Sequence, residues 1–166
     1  VVISMALTPF FAILGKVLGR KFGKQVGVAL RAAEEETVDM RNHVIIVGYG
    51  RVGRTVQMLL AEQLIPHVVI DLDMKKVALG RENSSFPIFF GDARRAEVYQ
   101  ALGADRARAI ILTVSDFAVS SRAIMTLRRY FPHLEIFVRV RDSEWEREKE
   151  REGVCVCVCM CDHEPH

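Results

Sequence analysis

The stretch HVIIVGYGRVGRTVQMLL, His43 to Leu60, carries the turn on which the fold depends. Val44–Val47 is a continuous apolar, β-branched run, the composition of a strand buried on both faces. Val52, Val56, Leu59, Leu60 and Gln63 then recur at helical spacing, and Pro66 closes that helix. Between strand and helix, Gly48-Tyr49-Gly50-Arg51-Val52-Gly53 fits the pattern G-x-G-x-x-G. Each glycine has a physical task. Gly48 permits a tight turn, Gly50 lets a pyrophosphate approach the backbone with no Cβ in the way, and Gly53 allows helix and strand to pack closely. The helix that follows points unpaired N–H groups and its positive dipole end at the phosphates. Arg51, inside the turn, and Arg54 are placed to add charge-assisted contacts.

The next strand, HVVID from His67 to Asp71, ends in an acid 23 positions after Gly48. That is close to the roughly 20-residue separation at which a carboxylate accepts from ribose hydroxyls. A carboxylate there repels a 2′-phosphate, so NAD(H) or an adenine mononucleotide such as AMP or ATP is favoured over NADP. Asp73 is either a second polar contact or the cap of the helix expected at Met74–Glu82. A strand is expected at Phe86–Phe90, and behind it Asp92 either reaches the adenosine edge beside Ala93 or caps a helix at Arg94–Leu102. A fourth strand, Ala109–Val114, brings Thr113 and Ser115 to the carboxyl edge of the sheet, where ligands bind in such folds. Asp116 caps a helix that runs to Phe131, with Pro132 just past its end. Glu135–Val140 supplies a fifth strand, and Ser143–Glu152 is helical in composition. Arg139 and Arg141 flank the end of that strand, with phosphate, Asp116 or solvent as the partners open to Arg139.

Strand–helix alternation with short links means α/β: a Rossmann-like, doubly wound parallel sheet with helices on both faces. The cofactor-binding set expected on it is Gly48, Tyr49, Gly50, Arg51, Val52, Gly53, Asp71, Asp73, Asp92, Ala93 and Thr113. No catalytic residue is expected. None of the five histidines (His43, His67, His133, His163 and His166) falls at a strand's carboxyl end, and Ser115 beside Asp116 has no nearby histidine to activate it.

The 166 residues suffice for one well-buried domain with extensions, and half of them are apolar. A formal charge of +2 gives no ground for a nucleic-acid partner. All four cysteines sit in one short tail, so no disulfide framework holds the main fold. No secretory signal is readable, and the first residue is Val rather than Met, so a fragment with its targeting segment upstream is expected. Residues 1–15, VVISMALTPFFAILG, are nearly all apolar and are followed by Lys16, Arg20, Lys21 and Lys24. Residues 1–24 are therefore expected to be the stub of a transmembrane helix with its cationic cytoplasmic flank, the alternative being an amphipathic or core helix. Residues 25–41, with the acidic run Glu34-Glu35-Glu36, read as a solvated helix or linker.

VGYGRVGRTV, followed by VVIDLD, FGDARR and FVRVRD, resembles the regulator-of-K⁺-conductance N-terminal (RCK-N, or KTN) domain. Within that group the chain looks most like the module attached to Kef-type and plastid potassium efflux antiporters. The resemblance covers about Asn42 to Glu152, and VVISMALTPF resembles the end of the last membrane helix in those proteins. It implies that Gly48, Gly50, Arg51, Val52 and Gly53 hold phosphates, that Asp71 holds ribose, and that Asp92 and Ala93 border the adenosine. It also implies a homodimer attached to the antiporter's transmembrane domain in the same polypeptide, in a multi-pass membrane protein of the plasma membrane or the plastid. There the domain lies on the cytosolic or stromal side and gates potassium/proton exchange by nucleotide occupancy. An NAD-dependent oxidoreductase fragment, and an RCK subunit of a potassium channel or uptake system, remain as alternatives. The apolar stub weighs against the first, and the match of SMALTP weighs against the second.

The family pattern would continue into a sixth strand, whereas here residues 154–166 read VCVCVCMCDHEPH. C-x-C repeats with a nearby His163 suit zinc or Cu(I). Alternating Val-Cys is also what a GT dinucleotide repeat encodes in one frame. The second reading is preferred, so residues 42–153 are taken as the domain, residues 154–166 as a segment foreign to it, and no metal site is assigned.

Overall fold

A computed structural model describes residues 31, 33–83, 86–140 and 155–158. The apolar stub, the expected helix at 143–152 and the end of the cysteine tail lie outside the described residues. The chain alternates β1 (Val44–Val47), α1 (Arg51–Glu62), β2 (His67–Asp71), α2 (Met74–Asn83), β3 (Ile88–Phe90), α3 (Ala96–Ala101), a 3-10 turn (Ala104–Arg106), β4 (Ala109–Leu112), α4 (Phe117–Tyr130), β5 (Glu135–Val140) and β6 (Cys155–Val158). The strands form one parallel sheet in the order β3-β2-β1-β4-β5-β6. This is the doubly wound α/β arrangement expected from the alternation. Strand order reverses between β1 and β4, and a crevice opens outside the carboxyl ends at such a switch point.

β1 lies at the centre and is buried from end to end. Successive strand side chains point to opposite faces. Ile45 and Val47 therefore join one cluster with Val98, Tyr99, Ala123, Ile124 and Leu127 from α3 and α4. Ile46 joins the other, with Val69, Val77 and Ile88, against which Val56 and Leu60 of α1 pack. A strand with water on neither side must be apolar at every position, which is why VIIV does not alternate. Each such aliphatic side chain stabilises the fold by about 1.5–3 kcal/mol relative to leaving it in water.

Three boundaries differ from expectation by two residues each. β3 begins at Ile88 rather than Phe86 because Pro87 has no N–H; its carbonyl instead accepts from Val69 N at 3.0 Å. α3 begins at Ala96 because residues 92–95 form a turn closed by Arg95 N donating to Asp92 O at 3.1 Å. β4 ends at Leu112, where the hydroxyl of Thr113 turns back to the carbonyls of Val47 and Gly48.

A further strand lies beyond the expected domain end at Gly153. Cys155–Val158 pairs in parallel with β5, in the register Phe137↔Cys155 to Val140↔Val158, and so supplies a sixth strand. Before β1, residues 33–37 are helical; Glu34, Glu35 and Glu36 face solvent as expected, but Ala33 and Thr37 are buried. Thr37 Oγ1 reaches Ala33 O at 2.7 Å and Ala101 O at 2.9 Å. This part of the linker is docked against the domain.

Candidate nucleotide-binding site

A cleft of about 310 Å³ opens at the carboxyl edge of the sheet, lined by Gly48 and Gly50 on one side, Asp71 and Asp92 on another, and Thr113 and Val114 across the switch point. The glycine turn is held from several directions. Gly48 has φ +102°, and its N–H donates to Ile70 O at 2.8 Å. A Cβ on Gly53 would lie 1.9 Å from Gly48 O, so no other residue fits where α1 presses against the turn. At Gly50 a Cβ would meet nothing within 4 Å. That position is open because it borders the cleft, and it leaves bare backbone for a ligand to approach. Among the described residues α1 has no side-chain N-cap and no acid in its first turn, so its first N–H groups and positive end stay open to a ligand. These features fit a phosphate group.

Asp71 sits across from the turn with its side chain 10 % exposed. Its Oδ2 accepts from Tyr49 N at 2.6 Å and its Oδ1 from Asp73 N at 2.7 Å. Each oxygen keeps lone-pair capacity for a ribose hydroxyl, and the two backbone bonds fix where that hydroxyl must come. Lys76, three residues after Asp73 in the first turn of α2, also lines the cleft, with Nζ 3.7 Å from Asp71 Oδ2. Its residue type alone does not single it out from the other lysines of the chain. The signal was its spacing after the acid, which turns it back toward the strand end.

The other expected residues divide by role. Gly48, Gly50, Asp71, Asp92, Ala93 and Thr113 line the cleft, whereas Tyr49, Arg51, Val52, Gly53 and Asp73 do not. The Tyr49 ring is buried on the far side, 6.0 Å from the Phe86 ring, with the Arg54 guanidinium 5.1 Å above it. Tyr49 therefore anchors the turn, and Arg54 is directed away from the cleft. Asp73 Oδ1 accepts from Lys75 N at 3.0 Å, the geometry of a helix cap. Thr113, 7 % exposed, ties β4 to the turn through its hydroxyl. Asp92 both borders the cleft and holds the 92–95 turn: its Oδ1 accepts from Arg94 N at 3.0 Å, and its Oδ2 pairs with Arg94 Nη2 at 2.8 Å. The Arg94 side-chain bond holds the Asp92 carboxyl below its ordinary pKa, so it is an acceptor throughout the physiological range. Asp116 caps α4 by accepting from Val119 N at 3.0 Å, and Arg139 Nη1 donates to Ser115 Oγ at 3.2 Å. His43 and His67 both lie at the opposite edge of the sheet, away from the cleft.

Residues 44–159 match the family model of the TrkA-N domain, so the family resemblance read from the motifs is borne out and extends through β6. The chain is 40% identical over 142 residues to K(+) efflux antiporter 2, chloroplastic, of Arabidopsis thaliana. That match covers 86% of this chain but only 12% of the relative's length. Among solved structures, the TrkA-N domain of the inner membrane protein ybaL from Escherichia coli superposes with a TM-score of 0.66 at 28% identity, covering 72% of this chain and 89% of that one. The AMP-bound form of the Kef CTD from Shewanella denitrificans superposes with a TM-score of 0.63 at 26% identity, covering 73% of each chain.

Proposed function

Because this chain belongs to the TrkA-N domain family, we propose that it is the nucleotide-sensing part of a potassium:proton antiporter, with an adenine nucleotide of the AMP or NAD(H) type in the cleft. One observation carries the reading: an uncapped helix start behind an open glycine, set across from a carboxylate fixed by two backbone donors. Phosphate at the first and ribose at the second are the two halves of one nucleotide. The likeness to the chloroplastic antiporter and to the AMP-bound Kef domain supports both the transporter and the ligand class. The cleft offers carboxylate acceptors, backbone donors and the ammonium of Lys76, and we read it as a site that binds without turnover.

The mechanism is linkage. A nucleotide that binds two arrangements of the domain unequally shifts the attached transporter between states by that difference in affinity. The partners are the membrane domain of the same polypeptide and a second copy of this domain. The full-length protein is multi-pass in the plasma or plastid membrane, and this part faces the cytosol or stroma.

Calorimetry of the full chain with NAD⁺, NADH, AMP and ATP tests the reading. At least one of them binds one to one, and Asp71→Ala weakens it by about 1–3 kcal/mol, as loss of a charged acceptor does. Absence of binding to all four overturns the proposal. Consumption of NADH with carbonyl substrates replaces it with an oxidoreductase.

A further inference from the structure

The ribose end of the cleft holds a charge that the glycine turn and the acid after β2 do not account for. Lys76 lines the cleft, its Nζ 3.7 Å from Asp71 Oδ2 and 4.0 Å from Asp73 Oδ2. The two members of the closer pair are held very differently. Asp71 is pinned by the N–H groups of Tyr49 and Asp73 and is nearly buried. Lys76 is 42% exposed, on a flexible four-carbon stem with a compact ammonium at its end. If a ligand changes this pair, the lysine moves and the aspartate stays.

Electrostatics then set what the ribose end accepts. Two carboxylates face one ammonium there, an excess of negative charge that repels a phosphate on the ribose. Asp71 also holds the only ammonium that, among the described residues, lines the cleft. We propose that Lys76 is a specificity-determining residue of this cleft and acts through its pair with Asp71. With Asp71 in place, the ammonium is kept against a carboxylate and free ribose hydroxyls are selected. With Asp71 removed, the same ammonium is released to bind a 2′-phosphate. Selection against 2′-phosphorylated nucleotides is thus set by the carboxylates and moderated by the ammonium that Asp71 holds. This inference rests on the nucleotide reading given above.

The test compares AMP with adenosine 2′,5′-bisphosphate by calorimetry on the full chain. In the wild type AMP binds more tightly. Lys76→Met, at a half-exposed position, raises the preference for AMP over the bisphosphate by roughly threefold or more, because the two carboxylates then face the 2′-phosphate with no ammonium beside them. Asp71→Ser weakens AMP by about tenfold or more and tightens the bisphosphate, so that the preference inverts. Adding Lys76→Met to Asp71→Ser abolishes the gain. Equal effects of Lys76→Met on both compounds overturn the proposal without any reference to Asp71. A bisphosphate gain in Asp71→Ser that survives Lys76→Met also overturns it. Failure of the nucleotide reading has a separate signature, with neither compound binding to the wild type, and this inference falls with it.

Discussion

At the amino-terminal edge of the sheet the polar groups close on one another, whereas at the carboxyl-terminal edge several are left facing outward. At the first edge, Thr37 Oγ1 meets Ala33 O and Ala101 O, and Arg106 reaches the carbonyls of Thr37 and Met40 at 3.3 and 3.4 Å. Asn42 N donates to Arg106 O, Arg108 N to His43 O, and the fully buried His43 donates from Nε2 to Leu102 O at 2.9 Å. At the second edge, α1 starts uncapped, Gly50 is bare, and Asp71 keeps lone pairs toward the cleft. The backbone supplies donors and acceptors at both edges. Where the chain satisfies them it gains a fixed junction with the preceding segment, and where it leaves them open it gains a place for a ligand.

The sharpest way to break this contrast is within the glycine turn itself. Gly53→Ala forces a Cβ onto Gly48 O and is expected to cost about 2–4 kcal/mol, as overpacking does, with nucleotide binding lost too. Gly50→Ala, with open space around it and an ordinary φ of −84°, keeps stability within about 0.5 kcal/mol. It nonetheless weakens nucleotide by roughly tenfold or more, because phosphate can no longer reach the amides. Urea denaturation and calorimetry on the two variants read both effects. If Gly50→Ala binds normally, the open edge is not the phosphate site.

The closed edge should respond in stability alone. Thr37→Val strands the buried Ala101 carbonyl and is expected to cost about 1–3 kcal/mol in urea denaturation, with nucleotide affinity unchanged. An altered affinity would mean that the two edges communicate.

The smallest effect is a pH slope. Burial pushes the His43 imidazole below its ordinary value of 6.5, and Arg106 nearby adds to the lowering. Its Nε2 already donates to Leu102 O, and Nδ1 has no hydrogen-bond partner among the described residues, so a second proton finds no acceptor. A histidine depressed in the folded state binds its proton first in the unfolded chain. Stability is therefore complete above about pH 6.5 and is lost as pH falls through that value toward the folded one, by at most about 1.4 kcal/mol per pH unit. His43→Gln should flatten the slope between pH 7.5 and 5.5; an unchanged slope assigns it to other groups.

The sequence revealed the open edge more fully than the closed one. VIIV, HVVID and EIFVRV form strands with the limits their composition implies, and Asp116 caps α4 as its position before the helix suggests. Gly48, Gly50 and Asp71 border the cleft, as their spacing leads one to expect. Tyr49 was harder to read because it holds the turn without lining the cleft, and Thr113 because it both lines the cleft and ties β4 to the turn. Lys76 was missed because its importance depends on the ion pair it makes with Asp71. The docked residues 33–43 left still less trace. Their partners lie 59 to 69 positions away in sequence, and an acidic run in that segment reads as solvated whether or not the helix beneath it is docked.

What the sequence determined by itself is whatever a few consecutive residues can enforce: strand composition, helix starts, the left-handed backbone at Gly48 and the bare approach at Gly50. Only the tertiary structure decided which glycine meets which carbonyl, that Lys76 faces Asp71, and that a Val-Cys run closes the sheet beside β5. Backbone preference acts over a turn or two of chain. Ion pairs, register and the docking of a linker require distant segments to meet, and the sheet order places them side by side.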